Sequence, residues 1–286
     1  MSLIKYINIS VKNSVMSIRD NVEGKTSWEA LLQAESNERN STTIWDYRNQ
    51  DELETFWVSD VHLGHHCCDE DLFRRNLEMI AKRGMPFADL GDLVECATRD
   101  SVGSGVYEQK EIVDAQIERA VQLYEPIKDQ LKVMIPGNHE ARVFKSSGLN
   151  ITKQMARRLS VKYGGLGGFH DIKVGNQRYS VYATHGGSGA STVGGKFNAV
   201  LRLGQNIDAD VIIMGHVHDT IYHSRERIAL NSKGQKENNT QHLVINGSYV
   251  NWWDSYAQVK GYPPGNKGNA KITFYGDKKM IEVSFI

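Results

Sequence analysis

The sequence predicts an α/β fold, and three observations carry that prediction. Short apolar, β-rich runs end abruptly at polar loops, helix-like stretches separate them, and the chain after His218 reads as strands alone. At 286 residues the chain is long enough for one large domain with a deep core, and one is expected.

Residues 1 to about 50 are polar. Ser27 can cap a short helix to Glu35, and a Ser/Asn/Thr-rich run follows from Glu35 to Thr43. This segment, 1–50, is read as an N-terminal appendage and linker, and 51–286 as the main domain. From Thr55 the texture changes. Thr55-Phe-Trp-Val-Ser ends at Asp60, Pro86-Phe-Ala-Asp-Leu leads to Gly91, and Lys132-Val-Met-Ile-Pro leads to Gly137. Helix-like stretches run from Asp69 to Lys82 and from Glu108 to Lys128. The second half repeats the habit: Tyr179 to Thr184 before His185, a helix-like Lys196 to Leu203, then Asp210 to Met214 before Gly215. Strand-like runs close the chain at Thr220–Leu230, His242–Ile245, Lys271–Tyr275 and Met280–Phe285.

Composition excludes several classes. The 34 basic and 34 acidic residues balance, so no net field draws the protein to nucleic acid or anionic membrane, although a local basic groove stays open. No run approaches a spanning helix and the N-terminus lacks a signal pattern, so a soluble, cytoplasmic protein without a membrane partner is expected. Three cysteines, with Cys67 and Cys68 adjacent and Cys96 alone, form no disulfide framework and lack zinc-knuckle spacing.

Five segments place metal-ligand residue types directly after predicted strands: Asp60-Val-His62, Gly91-Asp92, Gly137-Asn138-His139-Glu140, His185-Gly-Gly and Gly215-His216-Val-His218. Strand C-termini are where open α/β sheets collect ligands. The i, i+2 spacing in Asp60/His62 and His216/His218 puts both side chains on one side of an extended chain. Gly91, Gly137 and Gly215 each precede a ligand where the backbone is expected to turn sharply.

In this order the segments resemble the calcineurin-like metallophosphoesterase superfamily, whose pattern is D-x-H, G-D, G-N-H-D/E, H and G-H-x-H. The resemblance spans about Thr55 to His218. It implies an α+β sandwich, two mixed β-sheets packed face to face and flanked by helices, with the metals at the sheet edge. Carried over residue by residue, Asp60, His62, Asp92 and His218 hold one divalent ion, and Asp92, Asn138, His185 and His216 hold the other. Asp92 bridges. The mixed nitrogen and oxygen set suits Mn²⁺, Fe²⁺ or Zn²⁺ better than Mg²⁺ or Ca²⁺, with Mn²⁺ expected first. The resemblance further implies attack on phosphorus by a metal-bridging hydroxide, with His139 protonating the leaving oxygen, oriented by a neighbouring carboxylate.

Other residues draw plainer readings. His65, His66, His170, His223 and His242 are expected to be structural, His66 being the first exception to consider because its loop passes near the metals. Glu95 is read as a helix-start carboxylate, with a supporting role behind the ligands as the alternative. Gly164 to Gly168 lacks the lysine and context of a phosphate loop and is read as a flexible turn. Gly186 to Gly195 follows ligand His185 and is expected to line the substrate side, with Lys196 and Arg142 as substrate-binding phosphate contacts weighed evenly against solvation. Tyr249, Trp252, Trp253 and Tyr256 offer core, rim or a base-stacking surface, core packing being the expectation.

The resemblance implies a phosphate-ester substrate, with a nucleotide or nucleic acid as an open option. Gly91-Asp-Leu-Val94 and His185-Gly-Gly187 are similar to serine/threonine phosphatases, but the arginine expected after Glu95 is absent. Mre11/SbcD-type DNA nucleases carry a histidine shortly after the bridging aspartate and a cap after G-H-x-H, and both are missing here. The texture around Arg142 and Lys196 is most similar to small phage- or prophage-encoded phosphoesterases. A phosphodiesterase is therefore expected, with a nuclease as the alternative. Members that serve as protein-binding scaffolds lose ligands or the catalytic histidine, and all eight residues are present here.

Overall fold

The computed structural model describes residues 42–286 apart from 100, 102–104 and 231–232. The strands, in chain order, are β1 (Thr43–Tyr47), β2 (Glu52–Val58), β3 (Phe87–Asp89), β4 (Leu131–Met134), β5 (Lys162–Tyr163), β6 (Gly167–Val174), β7 (Gln177–Thr184), β8 (Val211–Met214), β9 (Ile221–Leu230), β10 (Lys236–Ile245), β11 (Ala270–Tyr275) and β12 (Ile281–Phe285). The longer helices are α1 (Glu70–Arg83), α2 (Val113–Tyr124), α3 (Asn138–Ser147), α4 (Ile151–Arg158) and α5 (Val193–Asn206).

The described strands form two six-stranded sheets, ordered β1-β6-β7-β8-β10-β9 and β12-β11-β2-β3-β4-β5. Both are mixed. β2, β3, β4 and β5 run parallel, as do β7, β8 and β10, while the β9, β11 and β12 pairings are antiparallel. Period-two alternation sorts side chains between the layers. In β2, Trp57 joins Leu90, Val181, Ile213 and Ile272 in the core between the sheets, whereas Phe56 and Val58 pack with Phe73, Ile80 and Tyr124 of the helices outside. On the outer side of the other sheet, Ile212, Met214 and Leu243 pack with Val200 of α5. This is the expected sandwich of two mixed sheets flanked by helices.

Helix α1 shows why its boundaries are sharp. Asp69 caps it by accepting from Leu72 N at 3.0 Å, Phe73, Leu77 and Ile80 form one buried stripe, and Gly84 ends it at φ 63°. The predicted helix from Glu108 to Lys128 is shorter: α2 spans Val113–Tyr124, and a 3₁₀ turn at Glu125–Ile127 follows. Pro126 explains the change, since its ring cannot continue an α-helix.

The 1–50 segment divides. Its first 41 residues, with the expected helix at Ser27–Glu35, lie outside the described residues. Thr43–Tyr47, by contrast, is a strand of the sandwich, paired parallel with β6, and Trp45 stacks on Trp57 with ring centroids 5.2 Å apart. The expected flexible turn at Gly164–Gly168 is also partly strand: β6 begins at Gly167, where a Cβ would meet Ala183 O at 2.7 Å. Close packing of two backbones, not flexibility, places glycine there. Among the described residues no helix is long and apolar enough to cross a membrane.

Candidate metal centre

Asp60 and His62 follow β2, Asp92 follows β3, Asn138 opens α3 after β4, His185 follows β7, and His216 and His218 follow β8. Each of these strands is parallel to at least one neighbour, so the loops leave the same edge of their sheets. Ladder-like bonds continue past the strands: Asp60 N donates to Gly91 O at 3.0 Å and His62 N to Asp92 O at 2.9 Å. Asp60, His62, Asp92, His216 and His218 all have φ between 49° and 73°. For residues with a Cβ this region costs roughly 1–2 kcal/mol each, and such strain collects at functional sites.

Surrounding structure holds that backbone in place. The Glu140 carboxylate accepts from Gly137 N at 2.8 Å, Asp92 N at 3.0 Å and Val94 N at 3.2 Å, capping α3 and clamping the Asp92 loop at once. Of the three glycines expected at sharp turns, only Gly91, at φ 94°, has the left-handed conformation. Gly137, at φ −91°, is needed for space instead: a Cβ there would lie 2.0 Å from Asp92 Oδ1. Gly215 likewise leaves room for the Asp60 carboxylate, 2.5 Å from where its Cβ would stand.

The predicted ligands come together as two groups. Asp60, His62 and His218 offer donor atoms within 4.8 Å of one another, and so do Asp92, His185 and His216. His218 Nε2 lies 3.2 Å from both Asp60 Oδ1 and His62 Nε2. Asn138 Oδ1 lies 2.7 Å from His216 Nδ1 and 3.1 Å from His185 Nε2. Asp92 Oδ2 stands between the groups, 3.3 Å from His185 Nε2 and 3.8 Å from His62 Nε2. The far nitrogens of two rings are tied down: His62 Nδ1 donates to Glu95 Oε2 at 2.9 Å and His185 Nδ1 to Leu90 O at 2.8 Å. That leaves each Nε2 directed at its group, as a ligand requires. Two carboxylates, one amide oxygen and four imidazoles, mostly buried, are a donor set that fits divalent cations of mixed N/O preference.

Electrostatics agree with charged carboxylates. Burial opposes the charge on Asp60, but the hydrogen bond from His218 and that ring's charge outweigh it and bring the carboxyl to about 2. Asp92 is likewise held well below the usual range despite burial, chiefly by His185 and His139. Burial opposes charge on His139 too, yet Asp92 and Glu95 raise it to about 9.

His139 sits beside the groups, its ring centroid 4.4 Å from that of His62. Its Nδ1 donates to Glu95 O at 2.8 Å, and its Nε2 lies 3.8 Å from Asp92 Oδ2. Arg142 Nη2 lies 2.9 Å from Nε2, a contact made by the neutral ring, whereas the charged ring would donate outward from the same atom. Glu95 is not at a helix start. It is buried without regular structure, its Oε2 within 2.9 Å of His62 Nδ1 and 3.3 Å of His139 Nδ1, and its Oε1 is 3.7 Å from Arg142 Nη1. Its place three residues after Asp92 is the sequence signal behind the supporting role weighed for it as the alternative.

Lys196 is buried rather than solvated, and its Nζ pairs with Asp219 Oδ2 at 3.2 Å. Tyr249 is core, with its hydroxyl accepting from Asn76 Nδ2 at 2.9 Å; Trp253 is exposed, and the side chain of Tyr256 lies outside the described residues. His65, His66 and Cys67 also approach one another, but their polar atoms face the backbone: His65 Nδ1 accepts from Cys67 N, His66 Nδ1 lies 2.8 Å from Glu108 O and its Nε2 3.0 Å from Asp254 O, and Cys67 Sγ donates to Trp253 O.

The profile of the calcineurin-like phosphoesterases matches residues 55–220, which contain every one of the seven predicted ligands and His139. The chain belongs to that family. Solved structures with some likeness to it include Yfce, a phosphoesterase from E. coli, at 14% identity and a TM-score of 0.40, covering 82% of this chain and 98% of that one. A conserved uncharacterized protein and predicted phosphoesterase from Streptococcus pneumoniae TIGR4 gives 10% and 0.33, with the same coverage of 82% and 98%. A single mutant of Vps29 from Entamoeba histolytica gives 12% and 0.36, again covering 82% and 98%. No curated protein matches the chain by sequence. Membership of the calcineurin-like phosphoesterases makes phosphate esters the substrate class to consider.

Proposed function

We propose that the chain is a metal-dependent phosphodiesterase with a two-ion site. Asp60, His62, Asp92 and His218 would hold one divalent cation, Mn²⁺ first with Fe²⁺ or Zn²⁺ as alternatives, and Asp92, Asn138, His185 and His216 would hold the second. Bound cations of this kind depress the pKa of water toward neutrality and polarise phosphoryl oxygens. The observation that carries the reading is Asp92 Oδ2, placed 3.3 Å from a nitrogen of one group and 3.8 Å from a nitrogen of the other.

The chain's own residues do the rest. Asp60 and Asp92 bring two negative charges against the four positive charges of two dications, so the loaded site would stay positive and favour an anionic phosphate. His139 is the proposed acid: Asp92 and Glu95 favour its charged ring, whose Nε2–H would replace the contact with Arg142 and serve the leaving oxygen, and Glu95 O fixes the ring by accepting from Nδ1 at 2.8 Å. Arg142 is the proposed phosphate contact, with Lys196 the weaker second choice. Arg142 is the better placed, since Lys196 is engaged by Asp219. A diester monoanion asks less of these surroundings than a monoester dianion, which needs further cations.

A panel of aryl mono- and diesters, cyclic nucleotides, and single- and double-stranded DNA, assayed with Mn²⁺, tests the reading. A higher kcat/KM for bis-aryl phosphate than for aryl phosphate is expected. The reverse order would refute the diester preference, and processive degradation of plasmid-length DNA at physiological salt would establish a nuclease instead.

A further inference from the structure

A cavity of about 230 Å³ opens beside the paired groups, and His216 and His218, one from each group, form part of its wall. Trp252, Tyr262, Pro263 and Val250 add apolar lining to the same cavity. The indole is pinned: Trp252 Nε1 donates to Tyr262 O at 2.9 Å, and Trp253 packs edge-on with ring centroids 5.0 Å apart. An aromatic side chain held in this way therefore lines the same cavity as His216 and His218.

The wall's charge narrows what can enter. Lys196 lines the cavity, but its ammonium is already paired with Asp219 Oδ2 at 3.2 Å, so it brings no spare positive charge. A second phosphate would lose its hydration there without a matching cation, whereas an uncharged flat ring would gain apolar contact and stacking. At about 230 Å³ the volume falls below the ~300–1,000 Å³ of drug-sized ligand sites, which suits one ring system.

Position decides which end of the substrate this is. His139 and Arg142 are not among the residues that line the cavity, which argues against its holding the ester group that takes its proton from His139. We infer that the cavity is a subsite for a planar ring, aryl or nucleobase, carried by the ester group that stays on phosphorus, an inference that rests on the diesterase reading above. In the reaction one P–O bond breaks, water supplies the oxygen that replaces it, and the departing alcohol takes its proton from His139, which is restored by the proton that water releases. The ring in the cavity leaves as part of a phosphomonoester. A monoester, having no retained group, leaves this binding surface unused.

Three diesters that share a 4-nitrophenyl leaving group separate the possibilities, their retained groups being methyl, a second 4-nitrophenyl ring, and the 5′-oxygen of thymidine. In the full-length, Mn²⁺-loaded chain, kcat/KM for at least one ring-bearing substrate should exceed that for the methyl ester by roughly 5- to 100-fold, the range of one stacking contact. The larger of the two ring arms identifies aryl or nucleoside as the preferred source. The ratio of ring to methyl substrate should collapse in Trp252→Ala and recover in Trp252→Phe, with thermal melting confirming that each variant is folded. Should Trp252→Ala fail to fold, Tyr262→Ala carries the same ratio test. A wild-type ratio near one, or a ratio that survives in the folded alanine variants, overturns the subsite. Absence of hydrolysis for all three diesters, with aryl phosphate still cleaved, overturns the diesterase reading beneath it.

Discussion

Glu95 Oε2 accepts from His62 Nδ1 at 2.9 Å while lying 3.3 Å from His139 Nδ1, so one buried carboxylate serves a proposed ligand and the proposed acid together. Burial works against its charge, but the hydrogen bonds from His139 and His62 hold it well below the usual carboxylate range. Glu95→Gln keeps the size and removes the charge. Activity should fall by about 10- to 100-fold, the usual effect of losing a residue that orients a metal ligand. Steady-state kinetics of the metal-loaded variant check this, and wild-type turnover would show that Glu95 orients neither ring.

His139→Ala should keep its metal and slow turnover by ~10²–10⁴, the range for a lost general acid. The defect should shrink for esters with good leaving groups, which need no proton. Equal losses for nitrophenyl and alkyl esters would remove His139 from that role.

Much of the site could be read in the sequence because its ligands sit where local pattern is strongest. Asp60/His62 and His216/His218 have period-two spacing at strand ends, and Asp92 and Asn138 follow glycines that the structure shows to be sterically required. Helix α1 carried its own start and stop in Asp69 and Gly84. What escaped depends on distant partners. β1 is a five-residue edge strand in polar surroundings, and its anchor, Trp45, has meaning only against Trp57 of the other sheet. Glu95, read first as a helix-start carboxylate, and Lys196, weighed between phosphate contact and solvation, take their actual partners only when the fold buries them beside His62 and Asp219, contacts made across 33 and 23 residues.

Gly137→Ala tests whether room for the Asp92 carboxylate matters, since the new methyl would stand 2.0 Å from Oδ1 and 2.4 Å from Asp92 N. The carboxylate must shift, and a displacement of about 1 Å at a reacting centre costs on the order of 10²-fold. Weaker metal retention should accompany the loss. Near-wild-type turnover together with full metal content would contradict the argument.

His170 gives a pH dependence separate from the centre. Its ring is buried edge-on against Trp45 and Trp57, Nδ1 has no partner among the described residues, and burial with the charge of Lys162 lowers the pKa to about 3. The unfolded chain, near 6.5, takes up the proton first, so stability is full above about pH 6.5 and declines as pH falls toward 3. His170→Phe cannot titrate and should flatten that acid-side decline relative to wild type, with a difference of several kcal/mol at the low end. Denaturant melts across pH 4–7 check it, and parallel pH profiles for the two proteins would exclude His170 as a contributor.

The most direct test of the two-ion account is metal analysis of the fully loaded chain, wild type against Asp92→Asn. Asp92 is the side chain proposed to serve both cations, so wild type should hold about two Mn²⁺ per chain, and Asp92→Asn should hold fewer and lose activity. At most one bound ion in saturated wild type, or an Asp92→Asn variant that keeps two ions and full activity, would contradict it.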